Sequence, residues 1–228
     1  MFKKSFMAMM ALFLVLFTAG CGGGKETPKA ADDKPAVSAD KSVLAYTEMY
    51  AKNDTSAIVA SGLMTADSAK FISDLITDNI RAQFKEYPLD DANVEKITKK
   101  YFEYVNKITK ISTKLKKDDP EHPVVEVTAT TINGKVPAEE LAKNEGMAEA
   151  MAIVQEAVAQ GLNNDQMKGD KNFQDRIVVA IEKFVTTMPT IEHSMDITCK
   201  IDKGEDGKNH WVPDENDLTV LAQFAQGQ

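Results

Sequence analysis

The chain has 228 residues, with 35 acidic and 27 basic side chains and a formal net charge of −8. The first twenty residues contain lysine but no acid, so the rest of the chain carries about −10, and such an acidic surface disfavours nucleic acid or anionic lipid as the main partner. Arginine occurs only at Arg81 and Arg176, which excludes a cluster of guanidinium groups around phosphates.

The N-terminal segment, residues 1–20, has the parts of an export signal. Lys3 and Lys4 precede an apolar run at residues 6–17, which suits a signal peptide and is too short to span a bilayer. Small residues and a cysteine follow, as Thr18-Ala19-Gly20-Cys21. The segment resembles the signal peptides of bacterial lipoproteins, although Thr18 stands where leucine is commonest.

This resemblance implies that Cys21 becomes the mature N-terminus and carries a thioether-linked diacylglycerol and usually an N-acyl chain such as palmitate. Each buried methylene contributes about 0.8 kcal/mol, so two or three acyl chains hold a protein firmly at a membrane. Gly22 supplies no inner-membrane retention aspartate. The expected location is therefore extracytoplasmic and lipid-anchored, at an outer membrane or at the outer face of a cell membrane. The alternative is an ordinary secretory signal that contains a cysteine.

Residues 21–41 are expected to be the lipidated cysteine and a disordered tether, because glycine, proline and charged residues dominate them. About twenty flexible residues span roughly 25 Å, enough to lift a domain clear of lipid headgroups. Residues 42–228 have the length of one ordinary domain. Cys199 is the second cysteine of the chain, so no intramolecular disulfide is possible once Cys21 is acylated.

Apolar residues three and four apart predict helices in the first half of that domain. The first covers residues 43–51. The second begins at a cap near Thr65 and ends at Tyr87-Pro88, and the third follows Asp90-Asp91. A hairpin comes next, with strands at residues 108–116 and 124–132 around a turn at 117–121.

In the second half, Pro137 opens a long alanine-rich helix, and a further helix runs from Phe173 to Pro189 after a polar break. Strict alternation of apolar and polar residues over 191–202 predicts a half-buried antiparallel strand. A short strand with Trp211 and a helix capped by Asp214 complete the domain. The fold class is therefore expected to be α+β, a curved antiparallel sheet of about four strands, made of two hairpins, packed against several helices.

This order of elements resembles that of bacterial lipoproteins with cystatin-like or nuclear-transport-factor-2-like domains. The resemblance covers residues 43–226 and includes the hairpin ISTKLKKDDPEHPVVEVTAT at 111–130 and a closing strand near His210-Trp211-Val212. It implies a cone-shaped, cystatin-like fold whose sheet and helices can enclose a pocket. No catalytic residue of that family is carried over to this chain.

Residues with useful chemistry are scattered. His122, His193 and His210 lack the close spacing of a metal site, and the single remaining cysteine forms no CxxC motif, so we expect no metal, no cofactor and no catalytic group. His122 and His210 are expected at turns or edges, and His193 in the core or at its rim, with a ligand or general base as the alternative. Cys199 is expected to be a buried small hydrophobe rather than a nucleophile.

The turn at residues 202–209 resembles a calcium-binding loop only in part. Glycine stands at its third position, where an oxygen ligand belongs, and proline stands at the twelfth, where a bidentate glutamate belongs. We therefore expect a solvated hairpin turn.

The expected function is a non-catalytic binding or interaction module at the cell envelope, with an envelope protein as its partner. One alternative is a carrier whose pocket between sheet and helices holds a small apolar ligand, lined by Met151, Val154, Phe184 and Met195. An envelope hydrolase is less favoured, because no nucleophile, base or metal set can be assembled from the sequence.

Overall fold

The computed structural model describes residues 34–227. The segment expected to be a signal peptide, Cys21 and most of the expected tether lie outside these residues. The domain begins with a helix at Ala39, which is three residues before the start expected from the sequence. The fold is α+β with a four-stranded antiparallel sheet, so the expected fold class is confirmed.

The helices follow the predicted order, with short additional ones between the long ones. Their bounds are α1 (Ala39–Lys52), α2 (Ser56–Ala60), α3 (Ala66–Lys85), α4 (Asp91–Ile108), α5 (Ala138–Leu141), α6 (Glu145–Ala159), α7 (Asn164–Gly169), α8 (Lys171–Thr186) and α9 (Glu215–Ala225).

Side-chain caps fix where several of the helices start, although Asp214, the cap expected for α9, makes no side-chain hydrogen bond to that helix. Thr65 and Asp90 accept hydrogen bonds from the backbone of α3 and α4, as the sequence predicts. The long helix expected from Pro137 is instead two helices, α5 and α6. The break occurs at Asn144, whose side-chain oxygen accepts from the backbone N–H of Gly146 and Met147 and so starts a new helix.

The four strands form two hairpins in one sheet, in the order β1-β2-β3-β4. Strand β2 pairs with the first part of β3, with Val127 opposite Met195, and β4 pairs with the last part of β3, with Trp211 opposite Ile201. Strands β2 and β4 therefore pair with different parts of the long strand β3. The strand bounds are β1 (Lys110–Lys117), β2 (Val124–Ile132), β3 (Thr190–Lys203) and β4 (Asn209–Pro213).

The buried apolar residues form two clusters. The sheet cluster joins α1 and α9 to the inner faces of β2 and β3 and includes Val43, Val127 and Ile197. The helical cluster joins α4, α6 and α8 and includes Ile97, Ile153 and Ile181. Helices α3 and α4 run through both regions.

A continuous helix ties the two clusters together. In α3, Ile76 belongs to the sheet cluster while Ile80 and Phe84, only one and two turns later, belong to the helical cluster. In α4, Phe102 packs against both. The region between Ile76 and Ile80 is therefore the boundary between two separately packed cores.

Candidate functional site

An exposed apolar surface runs along α6. We call it the α6 strip: Ala148, Met151, Ala152, Val158 and Ala159, all exposed. Met151 is 36% and Val158 54% exposed. On the neighbouring helix α8, Val179 is 60% exposed. The exposed apolar side chains of α6 lie on one face of that helix, and such a grouping is typical of contact sites.

The α6 strip exists because α6 buries only its opposite side. Gly146, Ala150 and Ala157 face α8 and the helical cluster. A Cβ atom at Gly146 would lie 2.2 Å from the backbone N of Phe184, so the two helices approach very closely there. Alanine continues around α6 beyond this contact, which leaves the outer face apolar without a partner helix among the described residues.

The charges that border the α6 strip are paired within the chain. Arg176 donates to Glu156 at 2.6 Å, and Lys183 lies 3.0 Å from Glu145. Hydrogen bonding to Arg176 lowers the pKa of Glu156, and hydrogen bonding to Glu145 raises the pKa of Lys183. The surface therefore offers apolar contact with a largely neutralised rim.

The structure does not bring the four predicted pocket residues together. Val154 and Phe184 are buried in the helical cluster, whereas Met195 packs against the sheet cluster. Met151 is exposed on the α6 strip. The reason is that α6 and α8 pack on each other through Gly146, so their apolar stripes face a helix and not the sheet. Ligand binding by these residues stays a prediction, without a shared cavity to support it.

A cleft of about 60 Å³ lies elsewhere, at the boundary between the two clusters. Its lining includes the apolar side chains of Ile76, Ile80 and Val105 and four residues with hydroxyl groups: Tyr50, Tyr101, Thr109 and Thr131. Met151, Val154, Phe184 and Met195 do not line it. Ligand pockets typically enclose about 300–1,000 Å³, so this volume is small for a carrier.

Cys199 is fully buried on the inner face of β3 and is free, so the prediction of a buried small hydrophobe is confirmed. Burial, with the nearby carboxylates of Asp214 and Asp217, raises the pKa of its thiol to about 12. A thiol in this environment is protonated at neutral pH and is a poor nucleophile.

The histidines occupy three unlike places. His193 is half-buried and lies 3.1 Å from the hydroxyl of Thr131, which confirms a rim position. Burial lowers its pKa, as does the nearby charge of Lys135. His122 is exposed in the β1–β2 turn, as expected. His210 lies on the edge strand β4 but is only 3% exposed, a burial that the sequence did not indicate.

The loop between β3 and β4 is docked onto the rest of the domain rather than simply solvated. Glu205 accepts from the backbone N–H of Thr65 at 2.7 Å, at the start of α3. Asp206 accepts from the backbone of Lys208 and lies 2.9 Å from Nε2 of His210. These hydrogen bonds lower the pKa of both carboxyls. Among residues 34–227 no group of three or more His, Cys, Asp or Glu side chains is arranged to hold a metal ion.

Comparison of the chain with protein-family models, with curated proteins and with solved structures found no match. Within residues 34–227, no helix has both the length and the apolar character needed to cross a membrane.

Sequence reasoning missed the outward position of Met151 and the contribution of Val179. Val179 lies off the apolar stripe of α8, between Arg176 and Lys183. An apolar residue among charges on the polar side of an amphipathic helix is the signal that could have indicated an exposed contact.

Proposed function

We propose that the chain is a lipid-anchored extracytoplasmic lipoprotein whose domain is a non-catalytic interaction module at the cell envelope. The α6 strip carries this proposal as the contact surface. Its partner is a protein with an apolar surface, because the rim charges at Glu156 and Lys183 already have partners within the chain.

The proposed anchor and the proposed contact surface belong to different parts of the domain. The tether would end at Ala39, and α1 packs in the sheet cluster. The α6 strip belongs to a helix of the other cluster. A module that is anchored next to the sheet cluster and binds its partner through the helical cluster keeps its contact surface away from the anchor.

The anchor is tested by replacing Cys21 with alanine in the full chain. We expect the wild-type chain in the membrane fraction with the mass of a diacylglyceryl modification, and Cys21→Ala in the soluble fraction without it. A wild-type chain without the added diacylglyceryl mass, or the same fractionation for the two chains, would overturn the anchoring proposal.

The contact surface is tested by photo-crosslinking in the producing cell. A photoreactive residue at the exposed Gln155, a polar position on the same helix face as the α6 strip, should give discrete adducts with a protein partner. Val158→Glu should abolish them, because a carboxylate cannot enter an apolar contact without losing its hydration.

Val220→Glu is the matched control, since Val220 is 46% exposed on α9, away from the α6 strip. It should leave the adducts unchanged. Adducts that survive Val158→Glu, or that both substitutions remove equally, would contradict a partner bound at the α6 strip.

A further inference from the structure

The cleft at the boundary of the two clusters has a defined chemistry. Its walls are the branched aliphatic side chains of Ile76, Ile80 and Val105, from α3 and α4. Four residues with hydroxyl groups also line it: Tyr50, Tyr101, Thr109 and Thr131. A mostly apolar surface with a few polar groups is the usual character of a small-molecule site.

Tyr101 is the group best placed to orient a ligand. Its ring packs edge-on against Phe84 and Phe102, with centroid distances of 6.3 and 5.5 Å, which holds it in one position. Burial raises the pKa of Tyr101 to about 12, so the phenol keeps its proton. Its hydroxyl makes no hydrogen bond to another described residue, whereas the hydroxyl of Thr131 already faces His193. A phenol donor that no protein acceptor engages is free to bond an acceptor supplied by a ligand.

The last described residues form part of the wall of the cleft. We call Ala225, Gln226 and Gly227 the strap. The first two line the cleft, and the carbonyl oxygen of Gly227 accepts from the backbone N–H of Gly134 at 3.1 Å. The cleft beside the strap measures about 60 Å³, well below the roughly 150 Å³ of a cavity that holds benzene.

Only glycine allows the strap to dock. Gly227 has φ of +75°, and a Cβ atom there would lie 1.8 Å from the carbonyl oxygen of Ile132. That contact is with backbone, so it cannot be relieved by rotating a side chain. Any side chain at this position would therefore lift the strap away from the end of β2.

We propose that this cleft is a binding site for a small apolar molecule with one hydrogen-bond acceptor, which Tyr101 would meet, and that the strap is its lid. A ligand enters when the strap leaves Gly134, because the closed volume is too small for it. The proposal goes beyond the interaction function and uses none of the residues of the α6 strip, so either can fail alone.

The test is methyl NMR of the full chain in lipid nanodiscs, titrated with acetophenone, an aromatic ring with one carbonyl. We expect saturable shifts at the methyl groups of Ile76, Ile80 and Ile132, and none at Ile153 in the helical cluster. Ethylbenzene is similar in size but has no acceptor, so the difference between the two affinities measures what the hydrogen bond to Tyr101 contributes to binding. Tyr101→Phe should weaken acetophenone binding about fivefold, a typical loss for one hydrogen bond, and leave ethylbenzene unaffected.

The lid is tested with Gly227→Ala. Its apparent affinity for acetophenone should rise about fivefold or more, because a larger fraction of molecules is open. Gly161→Ala is the matched control, since Gly161 has φ of +84° but no atom within 4 Å of its added Cβ. Its affinity should stay within about twofold of wild type.

In the wild-type chain, acetophenone should also speed hydrogen exchange at the amide of Gly134, which keeps the lid testable if Gly227→Ala does not fold. Shifts that do not saturate, or that are as large at Ile153 as at Ile76, would overturn the site. Unchanged exchange at Gly134 in the presence of bound acetophenone, or equal effects of the two glycine substitutions, would overturn the lid.

Discussion

The imidazole ring of His193 stacks on the phenyl ring of Phe224, with centroids 3.9 Å apart and planes inclined by 22°. This contact joins β3 of the sheet to the last turn of α9. The same imidazole lies 3.1 Å from the hydroxyl of Thr131, at the edge of the cleft. The histidine therefore connects three elements that meet where the strap is docked.

Acid should weaken this contact and lower stability. Burial lowers the pKa of His193 in the folded chain below its ordinary value of 6.5, so the unfolded chain binds the proton more readily. The contribution of neutral His193 is present above pH 6.5 and is lost as pH falls from there toward the lowered value.

Urea unfolding of wild type and His193→Gln, between about pH 8 and pH 5, isolates this effect from the titration of the carboxylates. The free energy of unfolding of wild type should fall more steeply than that of the variant. Lys135→Ala should make the wild-type curve shallower, because Lys135 adds to the lowered pKa. Parallel curves for wild type and His193→Gln would rule out a role for this histidine.

Gln174 should be among the most sensitive polar residues. It is only 4% exposed, and its amide nitrogen donates to the carbonyl oxygens of Pro88 and Met167. Its oxygen accepts from the backbone of Asp90 and the side chain of Asn93. Gln174→Leu leaves several buried groups unpaired and should lower the free energy of unfolding by about 2–4 kcal/mol. Gln155→Leu, at an exposed position, should change it by less than about 0.5 kcal/mol, and a similar loss for both variants would contradict this role.

Gly146 should not tolerate alanine. The added Cβ would lie 2.2 Å from the backbone N of Phe184 and 2.7 Å from the carbonyl oxygen of Ala180, so α6 and α8 would have to move apart. We expect Gly146→Ala to cost about 3 kcal/mol or more in thermal or urea unfolding. Gly169→Ala, which meets no atom within 4 Å, should be neutral or stabilising by up to about 1 kcal/mol. Equal stability of the two variants would show that the helices are not in close contact.

Lys116 should hold two carboxylates together on the outer face of the sheet. Glu126 and Asp196 are opposite each other on β2 and β3, and the ammonium of Lys116 lies 2.8 Å from Asp196 and 3.7 Å from Glu126. Lys116→Ala leaves like charges facing across the strands, which is destabilising. The loss should be largest at low ionic strength and shrink as salt screens the repulsion. Lys110→Ala, opposite the neutral Thr130, is the control and should show little dependence on salt.

Local patterns predicted most of the elements, because period and caps depend on neighbouring residues. The alternation over 191–202 and the caps at Thr65 and Asp90 correspond to β3, α3 and α4. The short helices α2 and α7 were not predicted, since they have too few residues to show a period. The helix is split at Asn144 because its side chain accepts hydrogen bonds from backbone N–H groups and so begins a new helix. Composition does not reveal whether such a side chain will cap a new helix or leave the existing helix continuous.

The α6 strip and the cleft could not be predicted from local patterns in the sequence. Met147, Met151 and Val154 form one stripe in the sequence, yet Met151 is exposed and its two neighbours on the stripe are buried. Periodicity identifies an apolar arc on a helix but not how much of that arc a neighbour covers. In the same way, the fold brings together residues that are far apart in the chain. Tyr101, Thr131 and Gly227 come close because α4, the end of β2 and the residues after α9 border the same cleft.

The sequence by itself determined the fold class, the order of the elements, the burial of Cys199 and the expectation of a lipid anchor at Cys21. These follow from hydrophobic period, turn residues and a short linear signal, all of which are local. The tertiary structure alone decided that the apolar residues divide into two cores, that α6 keeps an exposed strip and that the strap docks beside the cleft between the cores. Each of these depends on which surfaces come into contact, and long-range packing sets that through close approaches such as those at Gly146 and Gly227.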